Sequence, residues 1–74
     1  MSIEREYEVI LQPERERGFR VFVPELPSVA TQGETIAEAT SMAKEAIEAY
    51  LKVMHKDGLS IPTVHRSSVA VHAA

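Results

Sequence analysis

The sequence predicts a small α+β domain in the order β-β-β-α-β: a mostly antiparallel sheet with one helix packed on one face. Three observations carry this. Apolar and polar residues alternate over Ile3–Gln12 and again over Phe19–Val23, the period of a half-buried strand. One apolar run, from Ile36 to Met54, recurs at spacings of three and four, the period of a helix. The chain has 74 residues and no internal repeat, linker or low-complexity tract, so residues 1–74 are expected to form a single domain.

In the first strand Tyr7, Val9 and Leu11 fall on the inward side, and Glu4, Glu6, Glu8 and Ile10 on the other. Pro13-Glu14-Arg15-Glu16-Arg17-Gly18 interrupts the alternation with proline, charge and glycine, which reads as a loop. Phe19, Val21 and Val23 are the apolar side of the second strand. Directly opposed residues of a hairpin share a face. Pairing two odd-numbered faces therefore requires a loop with an odd number of residues, with Gly18 available for a left-handed position near its end.

Pro24-Glu25-Leu26-Pro27 cannot continue a central strand, because two prolines remove ladder donors, and it reads as a stiff extended turn. Ser28–Gln32 has weak strand character and Gly33 closes it. Thr35 followed by Glu38 is a capping box, which places a helix start at Ile36. The helical stripe is Ile36, Ala39, Ala43, Ala46, Ile47, Tyr50, Leu51 and Met54, and its alanines permit close approach to a sheet. Gly58 suits a left-handed C-cap, with His55 and Lys56 near the negative helix end. Leu59–Pro62 is a connection, and Thr63–His72 alternates loosely around Val69 and Val71, a final strand.

Composition bounds the function. Apolar residues are 45% and charged residues 26%, the balance of a globular domain rather than a disordered tail. Eleven acids against eight bases give a net charge of −3, which disfavours a chain whose own work is gripping phosphate backbone. No secretory signal or membrane-spanning run occurs, so a cytoplasmic protein is expected. Without cysteine, neither a disulfide nor a thiolate metal site can reinforce the thin core of so short a chain. Self-association, as a dimer or tetramer, is the expected reinforcement.

Catalytic chemistry finds little support. No G-x-S-x-G elbow surrounds any serine, and His55, His65 and His72 have no helical metal-pair spacing. The three glycines are too isolated to cradle phosphate. The expectation is a binding module with no cofactor, no metal and no catalytic residues. Its interaction candidates are the outward residues Glu6, Glu8, Ile10 and Phe22, together with Pro24, Leu26 and Pro27 of the turn. Three alternating glutamates also fit a plain solvated strand face. A residual metal-dependent nuclease activity resting on Glu8 is the weakest reading.

Taken together, Tyr7-Glu8-Val9-Ile10-Leu11, then Gly18-Phe19-Arg20-Val21-Phe22-Val23-Pro24-Glu25-Leu26-Pro27, then Thr31-Gln32-Gly33-Glu34-Thr35-Ile36-Ala37-Glu38-Ala39, resemble the HicB-like antitoxin family. The second alanine-rich turn, Ala43-Lys44-Glu45-Ala46, and the Gly58 to Ile61-Pro62 exit fit as well, so the resemblance covers residues 6 to 62. Where family members usually carry Gly-Cys, this chain has Ser28-Val29-Ala30. The resemblance implies a partial RNase H-like fold without the nuclease acids. It also implies a function: binding and neutralising a HicA-type toxin, a small basic protein that cleaves mRNA. Many members carry a C-terminal DNA-binding domain; twelve residues follow Pro62 here, so no direct DNA binding is expected. The alternative is an orphan homo-oligomeric HicB-like scaffold, or a small-ligand-binding domain, with another partner.

Overall fold

The computed structural model describes residues 5–60 and 65–72. Ile3, Glu4 and the Ile61–Val64 part of the expected C-terminal elements lie outside the described residues. Three strands, β1 (Ile10–Pro13), β2 (Phe19–Phe22) and β3 (Ala30–Gly33), precede one helix, α1 (Ile36–Lys56). The strands form an antiparallel sheet in the order β1-β2-β3, and the α+β class read from the sequence holds.

The β1–β2 hairpin has the register that the alternation demanded. Leu11 faces Val21 and Ile10 faces Phe22, so the inward residues of both strands share one side. The loop between them, Glu14–Gly18, has five residues. Glu14 N–H donates to the Gly18 carbonyl at 2.9 Å, and Gly18 takes the left-handed conformation at φ +82°. A residue with a side chain would be strained there.

The ladder is shorter than the alternation. A strand was expected over Ile3–Gln12, yet pairing begins only at Ile10. Two steps back along the same register, Glu8 would face Pro24, which has no N–H to give. The side-chain alternation persists through this unpaired stretch, because Tyr7 and Val9 still pack against the core. The Pro24–Pro27 segment also differs from an extended turn. Leu26 N–H donates to the Val23 carbonyl at 2.9 Å, and Val29 N–H to the Leu26 carbonyl at 2.8 Å. These two successive turns fold Leu26 under the sheet, where it is completely buried.

The core lies between the sheet and α1 in two adjoining clusters. Val23, Leu26, Val29 and Ile47 form one, with Tyr50 and Leu51 packed against it. Val21, Ala39 and Ala43 form the other, flanked by Leu11 and Phe19. The alanines bring the first half of α1 close to the strands, as their small size permits.

Both helix ends follow from side chains or glycine. Thr35 Oγ1 accepts from Glu38 N–H at 3.0 Å, while the Glu38 carboxylate accepts from Glu34 N–H at 3.1 Å. The reciprocal bond thus reaches one residue further back than in the usual capping box. At the other end Gly58, at φ +67°, donates to the His55 carbonyl and Leu59 N–H donates to the Met54 carbonyl. That pair of bonds is a Schellman motif.

Two expectations require correction. Ile36, placed in the buried stripe, is 62% exposed, because the first helical turn precedes the Gly33–Ala39 contact and has no sheet beneath it. The final strand does not form among the described residues 65–72, where the chain has no ladder and Val69 and Val71 are about 80% exposed. Alternation specifies the faces of a strand but cannot supply the neighbouring edge whose backbone groups it must bond.

Candidate interaction surface

One helix covers one face of the sheet, so the even-numbered residues of the strands turn outward. The register aligns them in rows. Ile10, Phe22 and Ala30 lie side by side across all three strands, and Gln12, Arg20 and Gln32 form the next row. Ile10 is 48% exposed and Phe22 is 37% exposed, and Ala30 is exposed beside them. This apolar row forms one end of the paired sheet on its open face.

Charged groups flank the row at both ends. Arg20 Nε meets Glu14 Oε1 at 2.9 Å on the hairpin side. Toward the Pro24–Pro27 turn, Arg66 Nη1 lies 3.1 Å from Glu8 Oε1 and Arg66 Nη2 lies 3.8 Å from Glu25 Oε1. One guanidinium therefore ties the approach to β1, the turn and the C-terminal segment together. All three groups are about half exposed, so water screens the pairs and each contributes little to stability.

The residues singled out from the sequence fall in one region with two exceptions: Glu6 lines a groove with Tyr7 and Ile47, and Leu26 is buried. Glu6 and Glu8 are exposed on the approach to β1, Ile10 and Phe22 form the apolar row, and Pro24 and Pro27 stand in the turn, half-buried and exposed respectively. Leu26 has no exposed surface, so it offers a partner nothing and acts by holding the turn down from within. Arg66 and Glu25 were missed. Their signal was weak: an arginine in a segment otherwise free of charge, fifty-eight positions from Glu8 along the chain. Its salt bridges reduce the net negative charge of the strip that Glu8 and Glu25 make.

Among the described residues no three histidine, aspartate or glutamate side chains converge on a metal position. Glu8, the carboxylate weighed for nuclease chemistry, is engaged by Arg66. No helix among the described residues is long and apolar enough to cross a membrane. The outer face is therefore an apolar row with carboxylates and two arginines, Arg20 and Arg66, near its ends.

The comparison with known proteins decides the family. The model of the "HicB_like antitoxin of bacterial toxin-antitoxin system" matches residues 7–74, nearly the whole chain. This chain belongs to the HicB-like antitoxin family. The UPF0150 protein Ta0767 of Thermoplasma acidophilum is 39% identical over 67 residues, covering 90% of this chain and 97% of that protein. Antitoxin HicB of Escherichia coli K12 is 39% identical over 56 residues, 76% of this chain but 41% of that protein. The UPF0150 protein ssr1765 of Synechocystis is 34% identical over 56 residues, again 76% of this chain and 71% of its relative. The chain therefore spans about two fifths of the Escherichia coli antitoxin it matches, and nearly all of its Thermoplasma relative. Membership in this family is the ground for a role in a toxin–antitoxin system, and a toxin is the kind of partner such a system contains.

Proposed function

We propose that this chain is a non-catalytic antitoxin module that binds a HicA-type ribonuclease toxin and covers its RNA-cleaving surface. The observation that carries the proposal is the outward row of Ile10 and Phe22 with the carboxylates of Glu8 and Glu25 at its edge, in a family of antitoxins. Phe22 and Ile10 act as apolar anchors, and Pro24 and Pro27 supply a rigid border at the turn. The acidic rim, together with the net charge of −3, steers a basic partner and sets its orientation. Such a partner works on phosphate backbone and so carries the complementary positive surface. The complex forms in the cytoplasm, and no direct DNA contact is assigned to this segment.

The test asks whether the adjacent reading frame encodes a short basic protein and mixes the chain with it. A stable complex that protects RNA from cleavage is the expected result. Neither complex nor protection would overturn the proposal.

A second reading has its own support. The same apolar row is self-complementary in character, and a chain of this length has a thin core. In this reading the domain self-associates, as a dimer or tetramer, and serves as a scaffold for another partner. Light scattering that returns a monomer at micromolar concentration would rule it out.

A further inference from the structure

Two features of the molecule remain unmatched among the described residues. The first is a groove of about 550 Å³ between the approach to β1 and the flank of α1. Tyr7, Val9, Ala43, Ile47 and Leu51 make it apolar, and Lys44 stands at its rim. It runs along residues 5–9, the unpaired stretch that leads into β1, the strand that among the described residues pairs only with β2. The second is the segment 65–72, which makes no ladder. Val69 and Val71 fall on one side of it and are 79% and 80% exposed.

The two features have complementary chemistry. A strand added to the open side of β1 turns every second side chain under α1, into the groove. Val69 and Val71 have that spacing, and the residues between and beyond them, Ser68, Ala70 and His72, are small or polar enough for the other side. The six residues after Arg66 span about 20 Å as a strand, long enough to lie along the groove.

We propose that residues 67–72 form an exchanged strand, seated in a second copy of this chain along residues 5–9 on the side of the sheet left open at β1, with Val69 and Val71 in that copy's groove. The inference rests on the self-association proposed above, and it names the segment and the seat. Arg66 is already held by Glu8 and Glu25 of its own chain. The root of the segment is therefore fixed at its own domain, yet the residues beyond it leave with both valines in water. A second copy related by a twofold axis offers the same groove and receives the same segment, so the exchange closes on itself. It pairs backbone groups that each chain alone leaves open and adds apolar burial where a small core needs it.

The absence of native cysteine makes a cross-linking test direct. One preparation carries Val69→Cys and a second, differently tagged, carries Lys44→Cys; the two are mixed under unfolding conditions, refolded and oxidised. The expected product is a cross-linked dimer containing both tags. A chain carrying both substitutions that instead closes within itself overturns the exchange, since the segment then fills its own groove. Light scattering on the unmodified chain adds the second measurement. A dimer that becomes a monomer in the Val69→Lys/Val71→Lys variant, with its helical circular dichroism retained, supports the proposal. A dimer that persists in that variant overturns the exchange and leaves self-association through the outer face. An unmodified chain that is monomeric overturns both readings. If the double lysine variant does not fold, the cross-linked species decides alone.

Discussion

Gly33, the last residue of β3, lies against Ala39 of α1 so closely that a Cβ at position 33 would come within 2.5 Å of the Ala39 backbone nitrogen and 2.6 Å of its Cα. The obstacle is helix backbone, which cannot rotate away as a side-chain tip can. The short path from β3 through Glu34 and Thr35 into the helix depends on this contact, and so does the depth at which Ala39 and Ala43 sit over Val21. Gly33→Ala is expected to lower stability by about 1–3 kcal/mol or more, as overpacking in a tight core does. Urea unfolding followed by circular dichroism measures it. A midpoint equal to that of the parent chain would mean that helix and sheet can separate at no cost.

Gly58 makes a contrasting prediction. It has φ +67° but nothing within 4 Å of the position a Cβ would take, so its requirement is one of backbone conformation alone. Gly58→Ala is expected to cost about 1 kcal/mol, and Gly58→Asn less, because asparagine tolerates the left-handed region better. Equal effects of the two substitutions in thermal melts would contradict this account of the C-cap.

Leu26 tests the assignment of the turn to the core. Its side chain is fully buried among Val23, Val29 and Ile47. Leu26→Ala is expected to destabilise by about 2–5 kcal/mol, the range for deleting a buried leucine. A domain this small has little margin, so poor expression or a broad melting transition is the expected outcome. A variant as stable as the parent would place Leu26 on the surface after all.

The outer face should separate binding from folding. Ile10→Lys, at a half-exposed outward position, is expected to change stability by less than about 1 kcal/mol. It should weaken binding of the toxin at least tenfold, or about 1.4 kcal/mol. Titration calorimetry with the purified toxin reads the affinity. Unchanged affinity for both Ile10→Lys and Phe22→Glu would move the interface elsewhere.

Arg66 is expected to matter for charge more than for stability. Its pairs with Glu8 and Glu25 are exposed, so Arg66→Ala should alter stability by less than about 1 kcal/mol. Removing the guanidinium leaves both carboxylates unpaired and makes the strip more negative. Association with a basic toxin should then be faster at low salt, with the difference fading as salt rises. Stopped-flow association rates at two ionic strengths check this, and a slower rate at low salt would contradict the steering role.

Local rules read much of this molecule correctly from residue order. The odd-numbered hairpin loop, the left-handed Gly18, the Thr35–Glu38 cap and the Gly58 stop each depend on a few neighbouring residues and elementary sterics. The outward position of Ile10 and Phe22 follows from strand period alone. Ile36 did not obey, since a helical stripe records which side is apolar and not how far the sheet extends beneath it. Leu26 looked like a surface residue between two prolines, because nothing in Pro-Glu-Leu-Pro shows that two successive turns will roll its side chain inward.

What the residue order determined was therefore the order and faces of the three strands and the helix, the hairpin loop and both helix ends, together with the motif series that marks the family. The tertiary structure decided which of those faces meet. It set the end of the β1 ladder at Ile10, buried Leu26, pressed Gly33 onto Ala39 and brought Arg66 to Glu8. It also left Val69 and Val71 without a neighbouring strand. The physical reason is common to all five: periodicity and capping act over a few residues, whereas burial and strand pairing need a second surface brought from elsewhere in the chain.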